Sequence, residues 1–110
     1  MVTTNSAVVS YEVVWMEEAE ADLDNILDYY LEKAGIAVAE DIYRRIKTQI
    51  ASLKTFPYRC RPGLVTGTRE YIVTGLPYRV VVEIIDDSVF IWSVVHTSRQ
   101  FPAKNDFWNS

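Results

Sequence analysis

Cysteine and histidine are almost missing from this chain: Cys60 and His96 each occur once in 110 residues. A single cysteine excludes an internal disulfide and fits a reducing cytoplasm. One Cys and one His, at positions 60 and 96, match no zinc-ligand spacing. A Cys–His nucleophile pair would require those two residues to meet, and nothing in the sequence brings them together. Long hydrophobic runs are lacking as well. No stretch approaches the ~20 apolar residues of a membrane-spanning helix. The opening, MVTTNSAVVS, has no basic residue ahead of its short apolar patch, which argues against a secretory signal. No glycine-rich phosphate loop is present, because PGLVTG has neither the Walker lysine nor the Rossmann spacing. Internal repeats, low-complexity tracts and linkers are absent too.

Basic residues are missing from one third of the chain. Residues 1 to 32 hold eight acids and no Lys or Arg, whereas residues 33 to 110 hold eleven basic residues against seven acids. The net charge of −4 therefore conceals an acidic N-terminal third and a mildly basic remainder. Overall acidity argues against tight direct nucleic-acid binding, which draws most of its affinity from phosphate neutralisation.

What is present is the composition of an ordinary globular protein, 49% hydrophobic and 24% charged. A chain of this length buries roughly 60–70% of the surface that its unfolded form exposes. We read residues 1 to 110 as a single domain. Its core spans about residues 10 to 102, with a short N-terminal arm (1–9) and a C-terminal tail (103–110) carrying Phe107 and Trp108. Tyr11 to Trp15, YEVVW, is β-branched and aromatic and predicts a strand. From Glu17 the period changes: Leu23, Ile26, Leu27, Tyr30, Leu31 and Ala34 follow the spacing of an amphipathic helix. Acids crowd its first turns, where the helix dipole favours them, and Gly35 stops it. Val38, Ala39, Ile42, Tyr43, Ile46, Ile50 and Leu53 form the stripe of a second helix, ended by Phe56-Pro57. So short a link predicts an antiparallel helical hairpin.

The C-terminal half supplies the surface those stripes need. REYIVT (69–74), YRVVVEII (78–85) and VFIWSVV (89–95) read as strands separated by the turn segments GLP and DDS. PYRCRPGLVTG (57–67) reads as a loop. The predicted fold class is α+β, in the order β-α-α-β-β-β: an antiparallel-rich sheet with the helical hairpin packed on one face.

Candidate chemistry lies in the scattered cations. Arg59 and Arg61 fall in the loop, Arg69 opens a strand, Arg79 lies early in the next, and His96 and Arg99 follow the last. Alternation sets Arg79 on the face opposite Tyr78, Val80, Val82 and Ile84. An arginine in so apolar a strand needs a partner or a solvent-lined groove. Two readings follow: a pair with an acid such as Glu70 or Glu83, or an exposed groove lined by Arg69, Arg79 and Arg99. His96 is either a strand-end residue or an acid or base, the role open to histidine as a residue type.

The element order, the opening AEADLDNILDYYLEKAG, the loop FPYRCRPG and the run REYIVTGLPYRVVVEIIDDSVFIWSVVHTSRQFP resemble the RelE/ParE superfamily of bacterial toxins, the toxic halves of type II toxin–antitoxin modules. The resemblance spans about residues 10 to 102. It rests on Arg69, the Tyr78-Arg79 pair, V-H-x-x-R at Val95 to Arg99, and the closing QFP. The ending HTSRQFP resembles the ParE-like branch, and no tyrosine follows the last strand as in the RelE-like ribonucleases. That branch implies a cytoplasmic growth inhibitor that blocks DNA gyrase, serves plasmid stabilisation, uses no cofactor or metal, and acts as a protein inhibitor rather than as a nuclease. The alternative is a RelE-like, ribosome-dependent mRNA endoribonuclease, for which Arg69, Arg79, His96 and Arg99 would form the catalytic set. A second alternative is a non-toxic adaptor. The resemblance also implies a cognate antitoxin, partly disordered and folding on binding. Arg59, Arg61, Arg69, Arg79, His96, Arg99 and Phe101 would form the surface for antitoxin or target.

Overall fold

A computed structural model describes residues 10–98. The N-terminal arm, Arg99, Phe101 and the tail with Phe107 and Trp108 lie outside the described residues. The elements are β1 (Glu12–Trp15), α1 (Glu17–Ala34), α2 (Ile36–Ala51), β2 (Arg61–Pro62), β3 (Arg69–Ile72), β4 (Tyr78–Ile85) and β5 (Ser88–His96). The strands make one sheet in the order β1-β5-β4-β3-β2. Only β1 runs parallel to its neighbour, β5; the other pairings are antiparallel.

Helix α1 opens with Glu17, Glu18 and Glu20 in its first turn and lacks a side-chain cap at Met16. Negative charge at the positive end of the dipole takes the place of that cap. Gly35 both ends α1 and begins α2. Its N–H donates to the carbonyls of Tyr30 (3.1 Å) and Leu31 (3.2 Å), and its own carbonyl accepts from Ala39 N–H (3.1 Å). With φ 92° and ψ 171° it occupies a region open essentially to glycine alone. One residue thus reverses the chain, and the two helices pack as the sequence predicts.

The core forms where α1 and α2 lie on the sheet. Ala19, Leu23 and Ile26 of α1 and Ile42, Ile46 and Ile50 of α2 meet Tyr78, Val80, Val82, Val89, Ile91 and Val94. The predicted stripes run too far toward the hairpin tip. Leu31, Ala34 and Val38 are exposed, because every residue from 31 to 38 lies beyond the buried part of the hairpin. Helix α2 tightens into a 3₁₀ turn at Ser52–Lys54, and Leu53 stays buried.

Three boundaries differ from the sequence reading. The segment read as a loop contains a second 3₁₀ turn, Pro57–Arg59, and the short strand β2. Two residues carry no alternation, so β2 has no periodic signal. Strand β3 stops at Ile72, because the next residues turn toward α2: Gln49 accepts from Thr74 N–H at 2.7 Å and donates to its carbonyl at 3.1 Å. Strand β5 extends through His96. It bulges opposite Val81/Val82, where the partner shifts from Ser93 to Ile91 and leaves Trp92 extra. Asp22 of α1 fills the gap in the ladder by accepting from Ser93 Oγ (2.7 Å) and Val94 N–H (3.0 Å).

Candidate functional site

Strand register decides which cations stand together. Arg69 lies opposite Val82 and Tyr71 opposite Val80, so both take the face turned to the helices. Glu70 lies opposite Val81 and Ile72 opposite Arg79, so these four take the other face. The groove expected from Arg69, Arg79 and Arg99 therefore does not form as such: Arg69 and Arg79 lie on opposite sides of the sheet, and Arg99 lies outside the described residues. The cause is strand periodicity: an odd offset along a paired register turns a side chain to the other face.

Arg79 donates to Glu70 Oε2 at 2.7 Å, and each side chain is only 7% exposed. A buried, closely paired arginine of this kind is a structural element first. Of the two acids expected as its partner, Glu70 takes the role; Glu83 Oε1 instead accepts from Trp92 Nε1 at 3.0 Å. Arg61, 63% exposed, approaches the other oxygen of Glu70 at 3.4 Å. One carboxylate thus links a buried arginine to a surface arginine. Sequence reasoning named Glu70 only as one candidate, although its place beside Arg69 in β3 was the available signal.

On the helix side, arginines and tyrosines alternate. Arg59 donates to Ser52 Oγ and lies over the Tyr71 ring, 5.1 Å from its centroid. Tyr71 Oη in turn donates to Gln49 Oε1 at 2.9 Å. Arg69 donates to the Cys60 carbonyl at 3.2 Å and lies 4.9 Å from the Tyr58 ring centroid. Tyr58 packs edge-on against Tyr11. Each guanidinium is stacked and hydrogen-bonded, which holds it in place. Burial pushes the Cys60 thiol up from its usual range, and the cations of Arg59 and Arg69 only partly offset this. Such a thiol is a packing residue rather than a nucleophile.

His96 ends β5 opposite Tyr78, with the two rings edge to face at 5.6 Å. Ser98 N–H donates to Nδ1 at 3.2 Å, and Ser98 Oγ lies 2.8 Å from the same nitrogen. With Nδ1 accepting, the proton of the neutral ring sits on Nε2. Arg69 is offset from His96 by four residues along the strands, roughly 13 Å at ~3.3 Å per residue, and by two strand spacings across the sheet, roughly 10 Å. Arg79 is on the far face. Cys60, beside β2, stands about three strand spacings from β5, roughly 14 Å. The described members of the proposed catalytic set therefore do not converge on one point. Among the described residues, no group of three His, Cys, Asp or Glu side chains could hold a metal ion.

What the structure adds is a groove of about 340 Å³ along β3, lined by Arg59, Arg61, Glu70, Tyr71, Ile72 and Thr74. Large apolar side chains stand exposed in the same part of the chain: Phe56, Tyr58, Ile72 and, at 73%, Leu64. Of the groove residues, only the two arginines were anticipated. Tyr71, Ile72 and Thr74 read as ordinary strand positions, and nothing local to them signals that β2 is too short to cover them.

Residues 13–101 match the family model described as ParE toxin of type II toxin-antitoxin system, parDE. The chain is 34% identical over 88 residues to the Sinorhizobium fredii (strain NBRC 101917 / NGR234) protein named "Putative toxin Y4kP", covering 80% of this chain and 90% of that one. Its fold matches a chain of a chromosomal ParDE TA system from P. aeruginosa with a TM-score of 0.75 and 24% identity, over 79% of this chain and 96% of the other. A chain of the RelBE2 toxin-antitoxin complex from Mycobacterium tuberculosis matches with a TM-score of 0.52 and 22% identity, over 80% and 92% of the two chains. Helical hairpin, mixed five-stranded sheet and family match agree: this chain belongs to the ParE toxin family of type II toxin–antitoxin systems.

Proposed function

We propose that this chain arrests growth by binding DNA gyrase, and that a cognate antitoxin binds it and keeps it inactive. The observation that carries the choice of mechanism is the dispersal of the cations. A ribonuclease of this size needs its arginines and an acid or base around one phosphate, within hydrogen-bond reach of the reacting atoms. Here Arg79 is paired with Glu70 on one face, while Arg69 and His96 stand on the other, two strands and four residues apart, roughly 16 Å. A scaffold whose cations are each stacked or paired in place is suited to contact rather than to phosphoryl chemistry. The antitoxin is supported by family membership, since the matched family is that of toxins from two-component modules.

The test has two stages. Brief induction without antitoxin is followed by parallel labelling of DNA and protein synthesis, and purified gyrase is then assayed on plasmid. The expected result is an early fall in thymidine incorporation, followed by loss of supercoiling activity in vitro. Collapse of amino-acid incorporation within minutes, with DNA synthesis lagging, would overturn the gyrase reading in favour of a ribonuclease. Arg79→Glu is a poor probe of partner binding, because it sets a second carboxylate against buried Glu70.

A further inference from the structure

The three most exposed large apolar side chains among the described residues lie between positions 56 and 64: Leu64 at 73%, Phe56 at 64% and Tyr58 at 58%. Leu64 and Val65 sit in the turn that joins β2 to β3, and Pro62 at its base pairs with Arg69. The Arg69 guanidinium in turn lies over the Tyr58 ring, so Tyr58 and the turn flank the same side chain. Cations surround them. From residue 42 to residue 69 the chain holds seven Lys and Arg and no Asp or Glu. Arg59 and Arg61 are exposed there. So is Lys54, whose carbonyl accepts from Tyr11 N–H at 2.8 Å beside the Tyr58 ring.

This protrusion is held still. Gly63 N–H donates to the Thr68 carbonyl at 2.9 Å, and Thr68 returns both its N–H (3.0 Å) and its Oγ1 (2.6 Å) to the carbonyl of Val65. Gly63 has no room for a side chain, because a Cβ there would collide with Thr68 Oγ1. Tyr58 is packed edge-on against Tyr11, and Arg59 is anchored on Ser52 and Tyr71. A surface already ordered loses little conformational freedom on binding. Its makeup is also that of an interface centre, where Tyr, Phe and Arg are enriched. The exposed apolar side chains at the hairpin tip, such as Tyr29 and Ile36, stand instead among the exposed acids Asp28, Glu32 and Glu40.

We infer that this protrusion is the surface by which the chain grips gyrase, with Leu64 and Val65 entering an apolar hollow and Arg59 and Arg61 meeting carboxylates at its rim. The inference rests on the gyrase reading and adds the contact site to it. Shape and charge select the partner. A convex, pre-ordered turn fits a hollow already formed on a folded protein, whereas a segment that folds on binding lies in grooves or along edges. A nucleic acid would meet the arginines but gains nothing from Leu64 and Val65, which offer no ring for a base to stack on. A second copy docking patch to patch would set these cations against their own kind.

The test places a photoreactive amino acid at position 64 and, as a comparison, at position 36 of the exposed hairpin tip. The whole chain is then irradiated with purified gyrase and plasmid. An adduct from position 64 and none from position 36 is the expected result. Leu64→Asp should raise the concentration that halves supercoiling by roughly tenfold or more, and Arg59→Gln with Arg61→Gln by a similar factor. Ile36→Asp should leave it unchanged. Leu64 is too exposed for its replacement to unfold the chain, and circular dichroism checks this. Cross-linking from position 36 instead, or inhibition by Leu64→Asp equal to wild type, would overturn the inference while leaving the gyrase reading intact. A wild-type chain that neither inhibits gyrase nor cross-links to it refutes the gyrase reading, and the inference falls with it. A dimer in sedimentation that Leu64→Asp dissociates would make the patch a self-association face and overturn the inference as well.

Discussion

Glu70 settles what two of the arginines are for. It is nearly inaccessible, holds Arg79 at 2.7 Å and meets Arg61 at 3.4 Å. Coulomb attraction is strong for the first pair and weak for the second, because water reaches Arg61. Arg79→Ala should therefore lower unfolding free energy by about 3–5 kcal/mol, since it leaves a carboxylate buried without its main counter-charge. Arg61→Ala should cost under ~1 kcal/mol. Urea denaturation followed by circular dichroism separates the two. Equal, small losses would mean that Glu70 rotates to water at little cost, and that the buried pair is not structural. At this scale the sequence was legible in part. An arginine among valines demanded a partner, and Glu70 was one of two acids in reach. The sequence did not say that Arg69 and Arg79 would part company across the sheet, because that depends on the β3–β4 register. The register is set by the length of the GLP turn and by Gln49 gripping Thr74 from α2, a contact 25 residues away in the chain.

At the scale of elements, the hairpin hangs on Gly35. An ideal Cβ there would meet nothing within 4 Å, so bulk is no obstacle. Its backbone, at φ 92° and ψ 171°, is the obstacle. Gly35→Ala should cost about 1–3 kcal/mol from backbone strain alone, with the core packing unchanged. A loss in that range by thermal or urea unfolding, with native near-ultraviolet dichroism kept, is the expected outcome; an unchanged midpoint would mean the link relaxes into another turn. The helices and β1, β3, β4 and β5 were readable because each carries a periodic apolar signal long enough to count. Elements without a period were not. β2 has two residues, and the bulge at Trp92 shows only as an alternation that slips by one. Strand β1 was readable as a strand, but its parallel seat beside β5 follows from topology rather than from any local residue. The groove escaped for the same reason. It exists because β2 is shorter than β3, a mismatch between two elements that neither one records.

At the scale of the molecule, negative charge is gathered along one side of α1. Glu20, Asp24, Asp28 and Glu32 stand four residues apart along the exposed side of α1, and residues 1 to 32 contain no Lys or Arg to relieve them. Side chains at that spacing are neighbours on a helix, so three successive like-charge pairs oppose one another. Salt screens this repulsion, since the Debye length falls from about 10 Å at 0.1 M to about 3 Å at 1 M. Raising sodium chloride across that range should therefore raise the Tm of the isolated chain by about 2–5 °C. Asp24→Lys sharpens the test: it turns the pairs with Glu20 and Asp28 from repulsive to attractive, so the variant should start from a higher Tm and gain less from salt. Paired thermal melts of the two proteins at the two salt concentrations read the difference. If wild type and Asp24→Lys respond to salt alike, the acidic row is too well solvated to matter.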